Sequence, residues 1–324
     1  MSSKLYPDLD TRRAATCYNM TSALSTRIVA LVNRGLDLLL SPATRHRSER
    51  LILVVAIASY LVHLLLIVLT NQGAIAVESK FLRNPVSAIY TPFSFILVYE
   101  VYLLIYYLPR STSYYIGKQY EIITLIVIRR IFKDIGNLEL YSNWFGNDND
   151  LQFTYDAATS LILFLLIFIF YYKIIRKEHP EQDGDEQRAE RFIFIKKSIA
   201  VLLVPVMVVL SVYSFSSWLG VAMNDQQSGI ETLSKLNNIF FDEFFSILII
   251  VDVLILLFSF FYSDQFHTII RNSGFVISTI LIKISFSVTG VLNNALIIGS
   301  VLFGVLILII HNLFAEKLTR ESVE

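Results

Sequence analysis

Four charged residues stand inside stretches that read as lipid-soluble. Glu100 lies in "FSFILVYEVYLL", Arg129 in "YEIITLIVIRRIF", Asp252 in "FSILIIVDVLIL" and Lys283 in "GFVISTILIKISF". A charge near the centre of a bilayer costs about 2.5–3.5 kcal/mol on insertion scales and is usually paired or faces a cavity. An acid followed one span later by a base occurs twice, which predicts the pairs Glu100–Arg129 and Asp252–Lys283. With the second span ending near residue 108, Glu100 is roughly 12 Å and Arg129 roughly 20 Å above that boundary at 1.5 Å per residue. The long basic side chain can snorkel across much of the difference. Such a pair either fastens its bundle or lines a polar pathway or switchable site. Lysine, unlike arginine, can also give up its proton when buried, so Lys283 is the titratable member of the set.

Further polar residues fall within or beside the same apolar stretches: Arg130, Lys133, Asp156, Asp242, Glu243, Asn293, Asn294 and His311. Arg130 and Lys133 sit one helical turn apart beside Asp134. They can attract an anion or pair with Asp134 and Asp156. Asp242 and Glu243 fall near a span end and read as interfacial. His63 reads as a hydrogen-bonding residue and Pro205 as a kink. His179 belongs to "RKEHPEQDGDEQRAER", a charged run that reads as a solvated linker. No metal site, catalytic residue or cofactor is expected, because no nucleophile elbow, metal-binding histidine pair or phosphate loop is present. The single cysteine, Cys17, excludes a disulfide framework.

The elements that must position these residues are helices in lipid. Hydrophobic residues make up 55% of the 324 and charged residues 17%, against roughly 25% charged in a soluble domain. The net charge of zero argues against a nucleic-acid partner. No cleavable signal peptide is expected within residues 1–50. A spanning helix needs about 20 mainly apolar residues. Eight candidates follow: about 51–70, 88–108, 116–136, 154–175, 193–219, 237–262, 268–288 and 292–314, the third interrupted by charges. With both termini in the cytoplasm, only Lys80, Arg83 and Lys235 of the 27 lysines and arginines fall in outside loops. Arg129, Arg130, Lys133 and Lys283 lie within spans, and the rest, Lys196 included, count as cytoplasmic. That asymmetry obeys the positive-inside rule. Residues 22–41 form an amphipathic segment, either a membrane-surface helix or a packing helix of a cytoplasmic cap.

The chain also repeats itself. "FSFILVYEVYLL" aligns with "FSILIIVDVLIL", placing Glu100 on Asp252. "YEIITLIVIRRIF" aligns with "GFVISTILIKISF" after a two-residue shift, placing Arg129 on Lys283. The expected architecture is an all-α polytopic membrane protein with eight transmembrane helices in two parallel four-helix repeats. Its parts are a cytoplasmic segment over 1–48, a first membrane unit over 49–176, a charged linker over 177–190, a second membrane unit over 191–315 and a cytoplasmic tail over 316–324.

The stretch "FHTIIRNSGFVISTILIK", followed by "NALIIGSVLFGVLILIIHN", resembles the phosphate-starvation-inducible PsiE family of small four-helix membrane proteins. The resemblance covers about 237–315. His267, Arg271 and Lys283 fall where that family has histidine, arginine and arginine, and Asp252 matches its second-helix acid within one residue. The first half keeps Glu100 and Arg129 but has Tyr114 and Tyr115 near the histidine position and Gly117 and Lys118 near the arginine. The resemblance implies a multi-pass inner (plasma) membrane protein with both termini cytoplasmic. The family name records an expression condition, not a mechanism. His267 and Arg271 become a candidate site of the second repeat.

Two functions fit these residues. One is a channel or transporter for a small ion or solute that uses the buried acid–base pairs. The other is a non-transporting stress-response or adaptor component that works with a partner subunit. The partners admitted are the lipid bilayer, a further copy or a membrane subunit, and a small ion. A voltage sensor fits less well, since the fourth and eighth spans carry no arginine series. A cavity reaching Lys283 favours transport, and a direct Asp252–Lys283 bond favours fastening.

Overall fold

The computed structural model describes residue 27 and residues 29–73, 88–135, 148–175, 186–224, 229–262 and 265–321. All regular structure among them is helical. The helices are α1 over 29–39, α2 (Pro42–Asn71), α3 (Tyr90–Tyr107), α4 (Thr112–Ile135), α5 (Asp148–Ile175), α6 (Glu186–Asn224), α7 (Gly229–Tyr262), α8 (Phe266–Ser285) and α9 (Gly290–Glu321). The chain divides into two compact units, residues 1–47 and residues 48–324. In the first, Leu31 and Leu38 are exposed on α1. Ser41 Oγ there accepts the Thr44 amide at 3.1 Å and so caps the start of α2. The expected linker lies mostly outside the described residues, and α6 has begun by Glu186.

Each predicted span coincides with one of α2 to α9. Six of these, α2 and α5 to α9, are long and apolar enough to cross a membrane. The two that miss the criterion are α3, which is apolar but short, and α4, which carries Lys118, Glu121, Arg129, Arg130, Lys133 and Asp134. In α3, Leu97, Val101, Leu104, Ile105 and Leu108 are buried, and in α4 so are Tyr115, Gln119, Tyr120, Ile123 and Val127. The peripheral helices instead expose leucine, isoleucine, valine and phenylalanine, as Leu161, Leu165 and Phe168 do on α5 and Leu202, Val209 and Val212 on α6. An inner helix is solvated by its neighbours, so its charges need protein partners rather than a lipid-compatible surface.

Side-chain bonds tie the second unit together. On α2, His63 is buried, and its Nδ1 lies 2.6 Å from Thr91 Oγ1 at the start of α3. Pro205 lies inside α6, which continues past it with one backbone donor fewer. Between α8 and α9 the chain reverses over 286–289, and Gly290, at φ +71°, supplies the left-handed conformation that a side chain would disfavour. Asn293 then reaches back. Its Nδ2 donates to the carbonyls of Ser285 and Val288, satisfying acceptors that the end of α8 leaves open.

Candidate functional site

The polar residues gather in three places along the bundle. The first is where α4 ends and α5 and α9 begin. Arg130 forks across that junction: Nη1 donates to Asn293 Oδ1, Nη2 to Asn294 Oδ1 at 2.8 Å, and Nε lies 3.2 Å from Asp156 Oδ2. Asn294 Nδ2 and Gln152 Nε2 both donate to Asp156 Oδ1, at 2.7 and 2.8 Å. Asp156 is fully buried. Four of the scattered polar candidates, Arg130, Asp156, Asn293 and Asn294, therefore form one centre that clamps three helices. The Lys133 and Asp242 side chains lie outside the described residues, and Glu243 is exposed.

Nearby, Arg129 Nη2 donates to Glu100 Oε2, so α3 and α4 are joined by the pair that the acid–base pattern predicts. Glu100 is buried. The second expected pair is not formed, and here the expectation is corrected. Asp252 is buried but does not meet Lys283. Tyr115 Oη donates to its Oδ1 and Gln119 Nε2 to its Oδ2, each at 3.1 Å and both from α4. Thr279 on α8 in turn donates to Gln119 Oε1 at 2.9 Å. Lys283 sits in the last turn of α8, partly exposed. A cation is favourable there because the helix dipole puts negative charge at that end.

The charged residue that does share a cavity with Asp252 is Lys196. The sequence places it in the cytoplasm, with its span beginning near 193. Because α6 begins at Glu186, Lys196 lies well inside the helix and is 4% exposed, as is Asp252. Its ammonium donates to the Arg110 carbonyl at 3.3 Å and to Thr112 Oγ1 at 3.1 Å. The cavity between α3, α4, α6, α7 and α8 is lined by Thr112, Tyr115, Lys196, Asp252, Ser259 and Asn272 among apolar neighbours. Its space for water centres is about 20 Å³. One water needs roughly 10–15 Å³ by that measure, so the cavity holds one or two.

The third place is where α8 begins and α9 nears its end. The rings of His267 and His311 lie 5.0 Å apart. Arg271 Nη1 is 3.3 Å from His311 Nε2. A guanidinium can only donate, so Nε2 accepts and His311 is neutral with its proton on Nδ1. That proton points to Asn312 Oδ1 at 3.3 Å, and Asn312 Nδ2 donates to the Lys173 carbonyl on α5 at 3.2 Å. His267 and Arg271, singled out together, do meet, and the structure adds His311. Arg271 Nε also bonds Asn272 Oδ1 at 3.3 Å, which joins this cluster to the cavity wall.

Above the cavity the polar residues thin out. Tyr120 Oη donates to Ser278 Oγ at 2.8 Å, because the Ser278 hydroxyl is itself spent on the Ser300 carbonyl at 2.7 Å. From Tyr120 to Arg130 is about 15 Å along α4 at 1.5 Å per residue. The buried side chains of that interval include Ile123 and Val127, with Ile282 on α8 and Ile297 on α9. Among the described residues no group of three or more His, Cys, Asp or Glu side chains is placed to hold a metal ion. No family model, curated protein or solved structure matches the chain.

Proposed function

We propose that the protein is a multi-pass membrane transporter or channel for a small ion, with Asp252 and Lys196 at its binding cavity. The observation that carries this reading is that a buried acid and a buried base line the same small polar cavity. Ionisable residues inside a membrane bundle that face a cavity mark ion pathways. The His267, Arg271 and His311 cluster joins the cavity through Asn272. In this reading α3 and α4 also cross the bilayer, as inner helices shielded by the rest, making eight crossings in two parallel repeats. The distribution of lysine and arginine supports termini in the cytoplasm, and the PsiE-like motif supports the plasma (inner) membrane.

A second reading, a non-transporting component that works with a partner subunit, is favoured by one feature. The stretch of α4 between Tyr120 and Arg130, apolar at its buried positions except for Thr124, separates the cavity from the Arg130 centre. In the transport reading that interval is the closed gate of one state.

The test is ion flux in proteoliposomes, with wild type compared with Asp252→Asn and Lys196→Met. Loss of at least tenfold in both variants, with retained monodispersity and helicity, supports the reading. Wild-type flux in both sinks it, and a wild type with no flux but a stable co-purifying subunit favours the second reading.

A further inference from the structure

We infer that the species bound in the cavity is a proton rather than a metal ion. The inference rests on the transport reading for what the proton does next, but the site itself does not require transport.

Three features of the cavity point to a proton. It accommodates one or two waters, too few for a cation that keeps its hydration shell. A hard cation such as calcium takes six to eight oxygen ligands, and magnesium takes six. Next, Lys196 already places an ammonium on the cavity wall, so a second fixed cation would be repelled at short range. Two of the three ammonium protons are held by the Arg110 carbonyl and Thr112 Oγ1. Last, each Asp252 oxygen accepts one hydrogen bond, from Tyr115 and from Gln119. An ionised carboxylate offers about four acceptor directions, so room remains for a proton on either oxygen.

The proton count is simple. With Asp252 as carboxylate and Lys196 as ammonium, the pair is neutral. One added proton bonds to a carboxylate oxygen of Asp252 and gives the carboxylic acid, while Lys196 keeps its charge. Release breaks that O–H bond and hands the proton to cavity water. The groups that bias this step are Tyr115 and Gln119 from α4 and Lys196 from α6, the last repelled by the charge of Arg271 on α8.

Infrared difference spectroscopy on the wild-type protein in lipid, titrated from alkaline to acid pH, reads the carboxyl group directly. A carboxylic C=O band that grows on acidification, shifts in deuterium oxide and is lost in Asp252→Asn is the expected result. The same band must persist in Glu100→Gln and Asp156→Asn, which remove other buried acids. The deuterium shift is read on unmodified protein, so the signal does not depend on how a variant folds. Absence of any titrating carboxyl band in wild type overturns the inference. So does a band that survives Asp252→Asn. A band with these properties but no proton flux in proteoliposomes upholds the proton site and removes the transport reading. Flux that requires sodium or potassium, with no such band, upholds transport and overturns the proton.

Discussion

Adding one methyl group at Gly304 tests the packing on which the bundle depends. A Cβ there would fall on the Tyr120 hydroxyl, 2.8 Å from its Cζ and 3.3 Å from Ser278 Oγ. Tyr120 has little room to retreat. It is fully buried, edge-on to Phe170 with centroids 5.1 Å apart, and hydrogen-bonded to Ser278. Overpacking a dense core costs about 1–3 kcal/mol. Pushing the phenol off Ser278 forfeits a hydrogen bond of about 0.5–1.5 kcal/mol. Gly304→Ala is therefore expected to cost about 2–4 kcal/mol, read as equilibrium unfolding in mixed micelles. Tyr120→Phe removes the oxygen that the new methyl group strikes. In a double-mutant cycle the two changes should couple favourably by about 1 kcal/mol or more. A Gly304→Ala protein within about 0.5 kcal/mol of wild type, or strictly additive costs, would refute the close approach of α4 and α9.

Other consequences follow from the same contacts. Asp156→Ala leaves Arg130 at the α4, α5 and α9 junction without its acid and should cost about 3–5 kcal/mol in the same unfolding assay, whereas the joint replacement Arg130→Met with Asp156→Leu should cost less. Lys283→Ala removes a cation from a helix C-terminus, where the dipole contributes about 0.3–1 kcal/mol, and a cost above about 3 kcal/mol would restore a buried pairing role. Single cysteines replacing Lys80 and Arg110, in a Cys17→Ser background, should label from opposite faces of the membrane. Labelling from one face would mean that α3 does not cross.

Much of this arrangement is readable from residue types alone, and the failures have identifiable causes. Apolar runs of sufficient length mark α2 and α5 to α9, and the recurrence of acid and base marks Glu100 and Arg129 as partners. Arg130 and Asp156 also meet as charge and spacing suggest. The partners of Asp252 are harder to foresee because they are neutral and remote, Tyr115 and Gln119 lying 137 and 133 residues away. Pattern reading looks for an opposite charge, while a buried carboxylate is equally well served by a phenol and an amide. Lys196 reads as cytoplasmic because the apolar run starts near 193, whereas α6 begins two turns earlier at Glu186 and carries the lysine into the bundle. Asn293 and Asn294 carry no charge pattern at all, and only the tight turn at Gly290 brings them to Arg130.

The central claim, that ion movement depends on the cavity shared by Asp252 and Lys196 and not on Lys283, is tested most directly by one comparison in proteoliposomes. Flux through wild type, Asp252→Asn and Lys283→Ala is measured with a pH-sensitive dye inside the vesicles and a potential imposed across them. Wild-type flux in Lys283→Ala with at least a tenfold loss in Asp252→Asn is the predicted result. Undiminished flux in Asp252→Asn, or a loss in Lys283→Ala as deep as that in Asp252→Asn, would contradict it.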